Sequence, residues 1–261
     1  MIRAVSALPR GLLAAALLIL ALLLPAAAER VDDAAIEDYL HRNPSAIRQI
    51  VRDYLMEEPQ ILREALSELL RRDEAEADVS ARRAIEANAD RLLRSRFSVV
   101  LGNPEGDVTL VEFFDYNCAY CRQALPHLLE LLQTDPQLRV VLKEMPVLGD
   151  ASVEAARVGA ALMLQDAGGT MYLDFHKRLL SSPEPANRET AIAAAIAAGA
   201  DLSRLERDFA SAEVVAALAE TVTLSAALGL TGTPSYVVGD RVIKGAAGLQ
   251  ALRTAIEAQR R

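Results

Sequence analysis

The spacing of apolar residues divides the chain into three parts. An almost unbroken apolar run covers residues 11–24, a helical pattern extends over residues 32–95, and short segments rich in β-branched residues follow. A change from helical to strand-like periodicity marks a change of structure. We therefore expect a leader, a helical N-terminal arm over residues 29–95, and an α/β domain over residues 96–261.

The α/β part has a definite order of elements. Two strands, a helix and a third strand precede a block of alanine-rich helices at about residues 151–228, and a hairpin and a last helix follow. The first strands are predicted at residues 97–102, 108–114 and 138–146, the hairpin turns at Gly239-Asp240, and helices cover residues 119–133 and 248–259. The first β-α-β unit should be parallel, and the hairpin should add antiparallel strands.

The arm contains an internal repeat of residues 39–53 in residues 54–68. Pro44 and Pro59 take equivalent positions, and each suits the first turn of a helix because its missing N–H loses no partner there. The helix that begins near Pro59 carries an apolar stripe, formed by Ile61, Leu62, Leu66, Leu69 and Leu70. This stripe must be buried either against its own domain or against copies of the chain, and the sequence leaves both open.

The N-terminal run has the order of a secretory signal peptide. Arg3 and Arg10 precede the apolar segment, Pro25 ends it, and small residues lead to a cleavage position after Ala28. The segment is shorter than the roughly 20 residues that a bilayer span needs, although an uncleaved anchor is the alternative. A signal peptide over residues 1–28 that is removed by cleavage predicts an exported, periplasmic protein.

Net charge and composition limit the classes of partner and the kind of core that we expect. The formal net charge is −8, and it becomes more negative without Arg3 and Arg10, which argues against nucleic acid as a partner. Aromatic residues make up 4% of the chain and tryptophan is absent, so we expect a helix-rich core packed by alanine and leucine.

Cys118 and Cys121 are the only cysteines. Two cysteines in an exported protein usually form a structural disulfide, but a bridge that closes so short a loop adds little stability. Cys118 starts a helix, where the helix dipole and free N–H groups favour a thiolate, and Arg122 adds a nearby cation. Cys118 is therefore the candidate nucleophile, and the less exposed Cys121 is the residue that closes the Cys118–Cys121 disulfide.

A metal site is an alternative use of two thiols. Structural zinc needs four ligands, and the three histidines, His41, His127 and His176, form no ligand-like cluster with the cysteines. We expect no zinc site and no bound cofactor, because the cysteines themselves are the redox group. A two-thiol copper(I) site stays open, since soft thiolates suit that ion.

Two further features accompany the cysteines. Thr233-Pro234 opens a strand, and a proline there leaves the preceding backbone free to pair with an extended peptide. Glu112 lies among apolar residues, where burial would raise its pKa and let it carry the proton of Cys121. The alternatives are an ordinary loop proline and a glutamate on an edge strand that faces water. Lys143 on the next strand is a candidate partner of Glu112.

These motifs together resemble a known family. A strand, "CAYC" at a helix start, a helical block and "GTP" before a hairpin are similar to the DsbA-like thiol–disulfide oxidoreductases over residues 97–261. The phrases "FFDYNCAYCRQ", "LKEMPVLG" and "GTPSYVVGD", together with the helical arm, most resemble the ScsC-type branch. The implied fold class is α/β, a thioredoxin fold with an inserted helical block that an N-terminal helical arm precedes.

The resemblance also implies roles for individual residues. Pro234 would be a cis proline beside Cys118, and Glu112 occupies the position where thioredoxin-like proteins often keep a buried acid. The candidate substrate-binding residues are Ala119, Tyr120, Gly232 and Thr233. The dipeptide between the cysteines differs from the Pro-His of strongly oxidising DsbA, which leaves the direction of electron flow open.

The expected function is that of an exported oxidase, isomerase or reductase of protein disulfides. Its partners would be unfolded or disulfide-containing exported proteins and a membrane protein that recycles the cysteines. The ScsC-type resemblance implies a homo-oligomer built by the arm, which is a trimer in some members. A function of another class, an oligomeric chaperone or copper-binding protein that uses the two thiols as ligands, is the alternative.

Overall fold

A computed structural model describes residues 32–166 and 168–261. The predicted signal peptide lies outside the described residues. The chain forms two compact units, one that ends at Glu68 and one formed by Leu69–Arg261.

The first unit is helical, as the arm pattern predicts. It contains α1 (Asp33–Arg42), α2 (Pro44–Glu57) and the first part of α3 (Pro59–Ala87). The carboxylate of Asp32 accepts a hydrogen bond from the N–H of Ala34 and caps α1, while prolines begin α2 and α3. Neither α1 nor α2 buries a residue. Most large apolar side chains of the repeat are exposed, whereas Leu40 and Leu55 are half-buried.

The second unit contains the remaining elements. Its strands are β1 (Val99–Gly102), β2 (Val108–Phe114), β3 (Leu138–Glu144), β4 (Ser235–Val238) and β5 (Arg241–Lys244). Its helices after α3 are α4 (Ala89–Leu93), α5 (Ala119–Thr134), α6 (Asp150–Met163), α7 (Thr170–Ser181), α8 (Arg188–Ala197), α9 (Leu202–Asp208), α10 (Ala212–Ala227) and α11 (Leu249–Ala258). Helices α6 to α10 form the predicted insertion between β3 and β4.

The five strands form one mixed sheet in the order β1-β3-β2-β4-β5. β2 and β3 are parallel, and the other neighbours are antiparallel, as predicted for the β-α-β unit and the hairpin. Six of the seven residues of β2 are buried, which fits a central strand covered on both faces. Strands β2 and β3 therefore end on the side of the sheet where β4 begins. Cys118 follows β2 at these strand ends.

Two hydrophobic clusters cover the two faces of the sheet. The larger cluster contains both cysteines together with Phe114 and Tyr236. The smaller cluster lies on the other face and includes residues from the end of the arm, Ile85 of α3 and Leu92 of α4, of which Leu92 is fully buried. The last helical segments before β1 thus contribute to the core of the second unit.

No single helix in residues 32–166 and 168–261 is long and apolar enough to cross a membrane. Helices α9 and α10 meet the length and composition requirement only as a pair, which is bent by 64°. Helix α10 buries Val214, Ala217 and Leu224 in the core of the second unit.

Candidate active site

Cys118 caps the N-terminus of α5. Its backbone is extended, with φ −77° and ψ 117°, and its N–H donates to the carbonyl oxygen of Asp115 at 3.1 Å. Both cysteines are free thiols in this structure. Cys121 is 1% exposed and Cys118 is 6% exposed, so Cys121 is the more buried of the two, as its position one turn into the helix predicts.

The loop before β4 contacts the first thiol directly. The peptide bond between Thr233 and Pro234 is cis, as the resemblance implies. The Cys118 thiol donates a hydrogen bond to the carbonyl oxygen of Thr233 at 3.1 Å. A Cβ placed on Gly232 would meet no atom within 4 Å, so the space beside this residue is open.

Glu112 is buried on the central strand and is 3% exposed. In the register of the sheet it lies between Leu142 of β3 and Tyr236 of β4, so the alternative of an edge glutamate that faces water is wrong. Its Oε2 atom has no hydrogen-bond partner. Loss of hydration raises the pKa of Glu112 to about 8, which keeps much of the carboxyl protonated near neutral pH.

The predicted pairing of Glu112 with Lys143 is wrong. The parallel register places Lys143 beside Phe113 rather than beside Glu112. Since successive side chains of a strand point to opposite faces, the two ionisable groups lie on different sides of the sheet. The Nζ atom of Lys143 instead donates to the carbonyl oxygen of Arg91 and to Oε1 of Glu220, each at 2.8 Å.

Arg122 forms hydrogen bonds with main-chain carbonyl oxygens. Its guanidinium donates to the carbonyl oxygens of Ser182 and Glu184, which follow α7. Arg122 therefore fastens the start of α5 to the helical insertion, and the expected role as a cation for Cys118 has no hydrogen bond to support it.

The surroundings of Cys121 favour its neutral thiol. Burial raises the pKa of Cys121 above its ordinary value, and negative charge on Cys118 or Glu112 raises it further, against smaller opposing contacts from Asp115 and Thr233. The Cys121 sulfur therefore keeps its proton at neutral pH, because its pKa is raised. Glu112 is the carboxyl group whose negative charge raises the pKa of Cys121.

Tyr236 is a site residue that the sequence interpretation missed. It lies directly opposite Glu112 in the antiparallel register and is 1% exposed. Burial raises the pKa of Tyr236 above its ordinary value, and negative charge on Glu112, Cys121 and Cys118 adds to the effect. Its position as the second residue of β4, two residues after Pro234, was the available signal.

The loop between β2 and Cys118 is held by Asp115, which the sequence interpretation also missed. The buried carboxylate of Asp115 accepts hydrogen bonds from the N–H groups of Asn117 at 2.8 Å, Val147 at 2.8 Å and Leu148 at 3.0 Å. It also accepts one from the hydroxyl of Ser152 at 2.8 Å. One side chain thus joins the loop after β2, the loop after β3 and the start of α6.

A second buried polar cluster includes Tyr116, which belongs to the same loop. Tyr172 donates to the carboxyl of Glu144, Tyr116 donates to Tyr172 at 3.1 Å, and Nδ1 of His176 lies 3.4 Å from the hydroxyl of Tyr116. Burial raises the pKa of Glu144 to about 8 and lowers the pKa of His176 to about 3. Helix α6 approaches this cluster at Gly159, where an added Cβ would overlap the Glu144 carboxyl.

The described ranges, 32–166 and 168–261, contain no group of three or more histidine, cysteine or acidic residues that could hold a metal ion. The fold brings Cys118 and Cys121 together with Glu112 and the loop at Pro234, where β2 ends and β4 begins. His127 lies on α5 and His41 on α1, and Nδ1 of His127 is buried without a hydrogen-bond partner.

Comparison with known proteins gives two family matches. The DsbA-like thioredoxin domain matches residues 109–257, which is more than half of the chain. The N-terminal domain of the copper resistance protein ScsC matches residues 45–76, within the arm.

Solved structures with the same fold support these matches. A thioredoxin-like oxidoreductase from Silicibacter pomeroyi is 40% identical, with a TM-score of 0.62. The match covers 66% of this chain and 96% of the oxidoreductase chain. BcfH of Salmonella enterica Typhimurium is 27% identical, with a TM-score of 0.71, and covers 87% of this chain and 100% of its own. The catalytic domain of Proteus mirabilis ScsC is 25% identical, with a TM-score of 0.61, over 68% of this chain and 97% of its own.

Curated relatives match only in part. The Na⁺/H⁺ antiporter NhaA 1 of Salinispora arenicola is 28% identical over 157 residues, which are 60% of this chain and 24% of the antiporter. The chain thus spans about a quarter of the length of the curated relatives it matches.

Proposed function

Because the chain belongs to the family of DsbA-like thioredoxin domains, we propose that it is an exported thiol–disulfide oxidoreductase that acts on polypeptides through Cys118 and Cys121. The observation that carries the proposal is the contact between the Cys118 thiol, at the start of α5, and the carbonyl oxygen before Pro234. This contact puts a reactive sulfur beside a backbone edge that can receive an extended chain.

The exchange takes place in two displacements. In the reducing direction the Cys118 thiolate attacks one sulfur of a substrate disulfide, a bond forms between them, and the other substrate sulfur leaves as a thiolate that takes up a proton. The Cys121 thiolate then attacks Sγ of Cys118, which releases the second substrate thiol. The substrate gains two electrons, and Cys118 and Cys121 become a disulfide. The same steps in reverse oxidise a substrate dithiol.

Glu112 is the proposed base for the second step. Cys121 holds its proton firmly because it is buried, and the Glu112 carboxyl is buried near it with a pKa of about 8. A group with a pKa near the working pH can both accept and return a proton. Glu112 therefore takes the Cys121 proton during reduction of a substrate and returns it during oxidation.

Substrate binding is assigned to the rim of the site. Ala119 and Tyr120 are exposed at the start of α5, and Gly232 has open space beside it. An extended substrate backbone pairs with the main chain at Thr233, next to the Cys118 thiol. This arrangement favours unfolded or misfolded exported proteins over folded ones, because only an extended segment fits along the loop.

The arm is proposed to assemble a homo-oligomer, a trimer by analogy with ScsC-type proteins. The match of residues 45–76 to the ScsC N-terminal domain supports this role. Large apolar side chains of the arm are exposed in the single chain, among them Ile50 at 65%, Met56 at 76% and Leu66 at 56%. Such a surface is typical of a region that packs on another copy.

Copper(I) binding is the second candidate function. The arm is similar to a domain of a protein described as a copper resistance protein, and two neighbouring thiols suit copper(I). Metal analysis of the reduced protein separates the two functions. One copper per chain in a protein that cannot exchange disulfides would favour the second candidate.

The proposal is tested by reduction of insulin disulfides and by refolding of a scrambled disulfide protein. The wild-type chain is expected to turn over in at least one of these assays. Cys118→Ala is expected to abolish turnover, because the other thiol, Cys121, is 1% exposed and is not accessible to a substrate disulfide. Full turnover in Cys118→Ala would overturn the proposal.

A further inference from the structure

We infer that Asn117 and Arg122 are positioning residues, which fasten the loop between α7 and α8 to the start of α5 and thereby keep the charge of Arg122 away from the Cys118 sulfur. We call residues 182–187 the 182–187 loop. The inference rests on the proposed function and concerns the direction of exchange, which the dipeptide between the cysteines leaves open.

Arg122 is the cation nearest to Cys118 in the sequence. It lies four residues after Cys118, and its N–H donates to the carbonyl oxygen of Cys118 at 3.1 Å, in the first turn of α5. Side chains four residues apart are neighbours on a helix, so the long side chain of an arginine at this position is within reach of the sulfur. A guanidinium that paired with the Cys118 thiolate would stabilise it.

The 182–187 loop takes the donors of Arg122 instead. The guanidinium donates to the carbonyl oxygens of Ser182 and Glu184, the second at 3.2 Å. The Cys118 thiol is engaged elsewhere, with the carbonyl oxygen of Thr233. The guanidinium therefore has two sets of acceptors within its range, the loop and a thiolate, and in this structure it is bound to the loop.

Asn117 anchors the other end of the 182–187 loop. Its side-chain amide donates to the carbonyl oxygen of Ala186 and its side-chain oxygen accepts from the N–H of Ala186, each at 2.8 Å. Ala186 is fully buried, so this end of the loop belongs to the core. Asn117 precedes the residue that caps α5, and Arg122 is the fourth residue of the helix. Side chains at these two positions are adjacent, which explains why both reach the same loop.

The 182–187 loop is stiff as well as anchored. Pro183 and Pro185 each fix one backbone dihedral angle. The N–H of Glu184 donates to the hydroxyl of Ser182, and the hydroxyl of Thr190 donates to the carbonyl oxygen of Pro185, each at 3.1 Å. Acceptors that are held in place before they bind a partner lose less conformational entropy, so the guanidinium is favoured on the loop.

The other ionisable groups around Cys118 do not replace this charge. The carboxylate of Asp115, in the loop before Cys118, accepts hydrogen bonds from four uncharged donors. Glu112 on β2 is largely protonated near neutral pH because burial raises its pKa to about 8, and Tyr236 on β4 is neutral there. Glu184 of the loop is exposed to solvent. The position of the Arg122 guanidinium is therefore the electrostatic variable that the loop controls.

The fastened loop affects the balance between dithiol and disulfide. The Cys118 thiolate exists only in the reduced protein, so a cation that pairs with it would favour the reduced protein over the Cys118–Cys121 disulfide. By holding Arg122, the 182–187 loop withholds this stabilisation and makes the chain a weaker oxidant. Release of the loop would shift exchange towards oxidation of substrate dithiols.

The test follows Cys118 in the full chain with two measurements. The first is the rate at which the reduced protein reacts with iodoacetamide at pH 6, with mass spectrometry to locate the modified cysteine. The second is the equilibrium in which the protein disulfide and two glutathione thiols give two protein thiols and one glutathione disulfide. Asn117→Ala is expected to raise both the rate and the equilibrium constant about fivefold, the size of an ion pair at a solvent-exposed site.

Arg122→Gln shows whether this effect depends on the guanidinium. Alone it should change both quantities less than about twofold, because the charge is bound to the loop. In the Arg122→Gln background, Asn117→Ala should also change them less than about twofold. Arg178→Gln, which removes an exposed cation of α7 that is paired with Asp174, is the control for net charge and should change neither quantity.

A second variant releases the loop without altering Asn117. Pro183→Gly with Pro185→Gly removes the stiffness of the loop at two exposed positions. It should change both quantities in the same direction as Asn117→Ala, and only while Arg122 is present. This variant decides the matter if Asn117→Ala does not fold.

Three outcomes would overturn this inference and leave the proposed function intact. They are an effect of Asn117→Ala that keeps its full size in the Arg122→Gln background, loop variants that change neither quantity, and a large loss of rate in Arg122→Gln alone, which would mean that the charge already acts on the sulfur. A wild-type protein that neither reduces insulin nor equilibrates with glutathione would overturn the proposed function, and this inference with it.

Discussion

The thiol of Cys118 points at the carbonyl oxygen of Thr233, 3.1 Å away, across the gap between the ends of β2 and β4. In the proposed mechanism, an extended substrate that pairs with the main chain at Thr233 has its own disulfide next to the Cys118 sulfur. Cys121 is the more buried thiol, so the proposal assigns it to the second displacement.

Cys121→Ala is expected to trap substrates. Cys118 can still attack a substrate disulfide, but without the second sulfur the mixed disulfide cannot resolve within the protein. Non-reducing gels and mass spectrometry of the variant should show a covalent adduct that a reductant releases. Cys118→Ala with Cys121→Ala is the control and should form none; an adduct of equal yield in this control would contradict the assigned roles.

Glu112→Gln is expected to change the pH dependence of stability. The folded pKa of about 8 lies above the ordinary value of 4.5, so the folded state binds the proton more tightly than the unfolded state does. The stabilisation is therefore complete below about pH 4.5, and it is lost as pH rises to about 8, by about 1.4 kcal/mol per pH unit. Urea unfolding at a series of pH values should show this slope reduced in Glu112→Gln.

Glu144 supplies a matched comparison for that experiment. Its pKa is also raised to about 8 by burial, but its hydrogen-bond partner is Tyr172, and it is not among the groups that shift the pKa of Cys121. Glu144→Gln should reduce the stability slope in the same pH window while the pH profile of disulfide exchange keeps its shape. Glu112→Gln should alter both. An exchange profile that is unchanged in Glu112→Gln would exclude Glu112 as the base.

Lys143→Met is expected to destabilise the protein by about 3–5 kcal/mol. The side chain of Lys143 is fully buried, and its removal leaves the Glu220 carboxylate, which is 16% exposed, without its partner. Lys143→Met combined with Glu220→Leu should recover part of the loss, as measured by urea unfolding. The exposed pair of Arg178 and Asp174 is the control, and Arg178→Met should cost less than about 1 kcal/mol. Equal losses for Lys143→Met and Arg178→Met would show that burial of the pair is irrelevant.

The arm is expected to hold the oligomer together. Leu62→Ser with Leu66→Ser should lower the mass measured by light scattering, because both side chains are exposed in the single chain and need a partner surface. A chain that begins at Leu69 keeps Ile85 and Leu92, which belong to the core of the second unit, and should be a folded monomer that still exchanges disulfides. A full-length wild-type chain that is already monomeric would contradict this prediction.

Local patterns predicted the redox half of the site. The strand before the cysteines, the helix that begins at Cys118, and the hairpin after Pro234 all follow from apolar spacing and turn residues that lie close together in the chain. The three motifs meet because β3 is parallel to β2 and β4 is antiparallel to it, and the order of elements also predicted this arrangement. The burial of Glu112 on a central strand followed from the same pattern.

Features that depend on register and long-range contacts could not be predicted. The partner of Lys143 was assigned wrongly because a shift of one residue in the β2–β3 register moves a side chain to the other face of the sheet. Three of the four partners of the Asp115 carboxylate, Val147, Leu148 and Ser152, lie more than 30 residues away in the chain. The loop after α7 that Arg122 binds is also more than 30 residues from it. The contribution of α3 and α4 to the core was hidden because their sequence is rich in charged residues.

The close approach of α6 to β3 has a consequence for sequence variation. A methyl group at Gly159 would occupy the space of the Glu144 carboxyl, so an alanine there requires the end of that side chain to move. Because Oε1 of Glu144 accepts the hydrogen bond of Tyr172, this movement would weaken or break that bond. The residues that positions 159 and 144 accept are therefore coupled through one buried hydrogen bond.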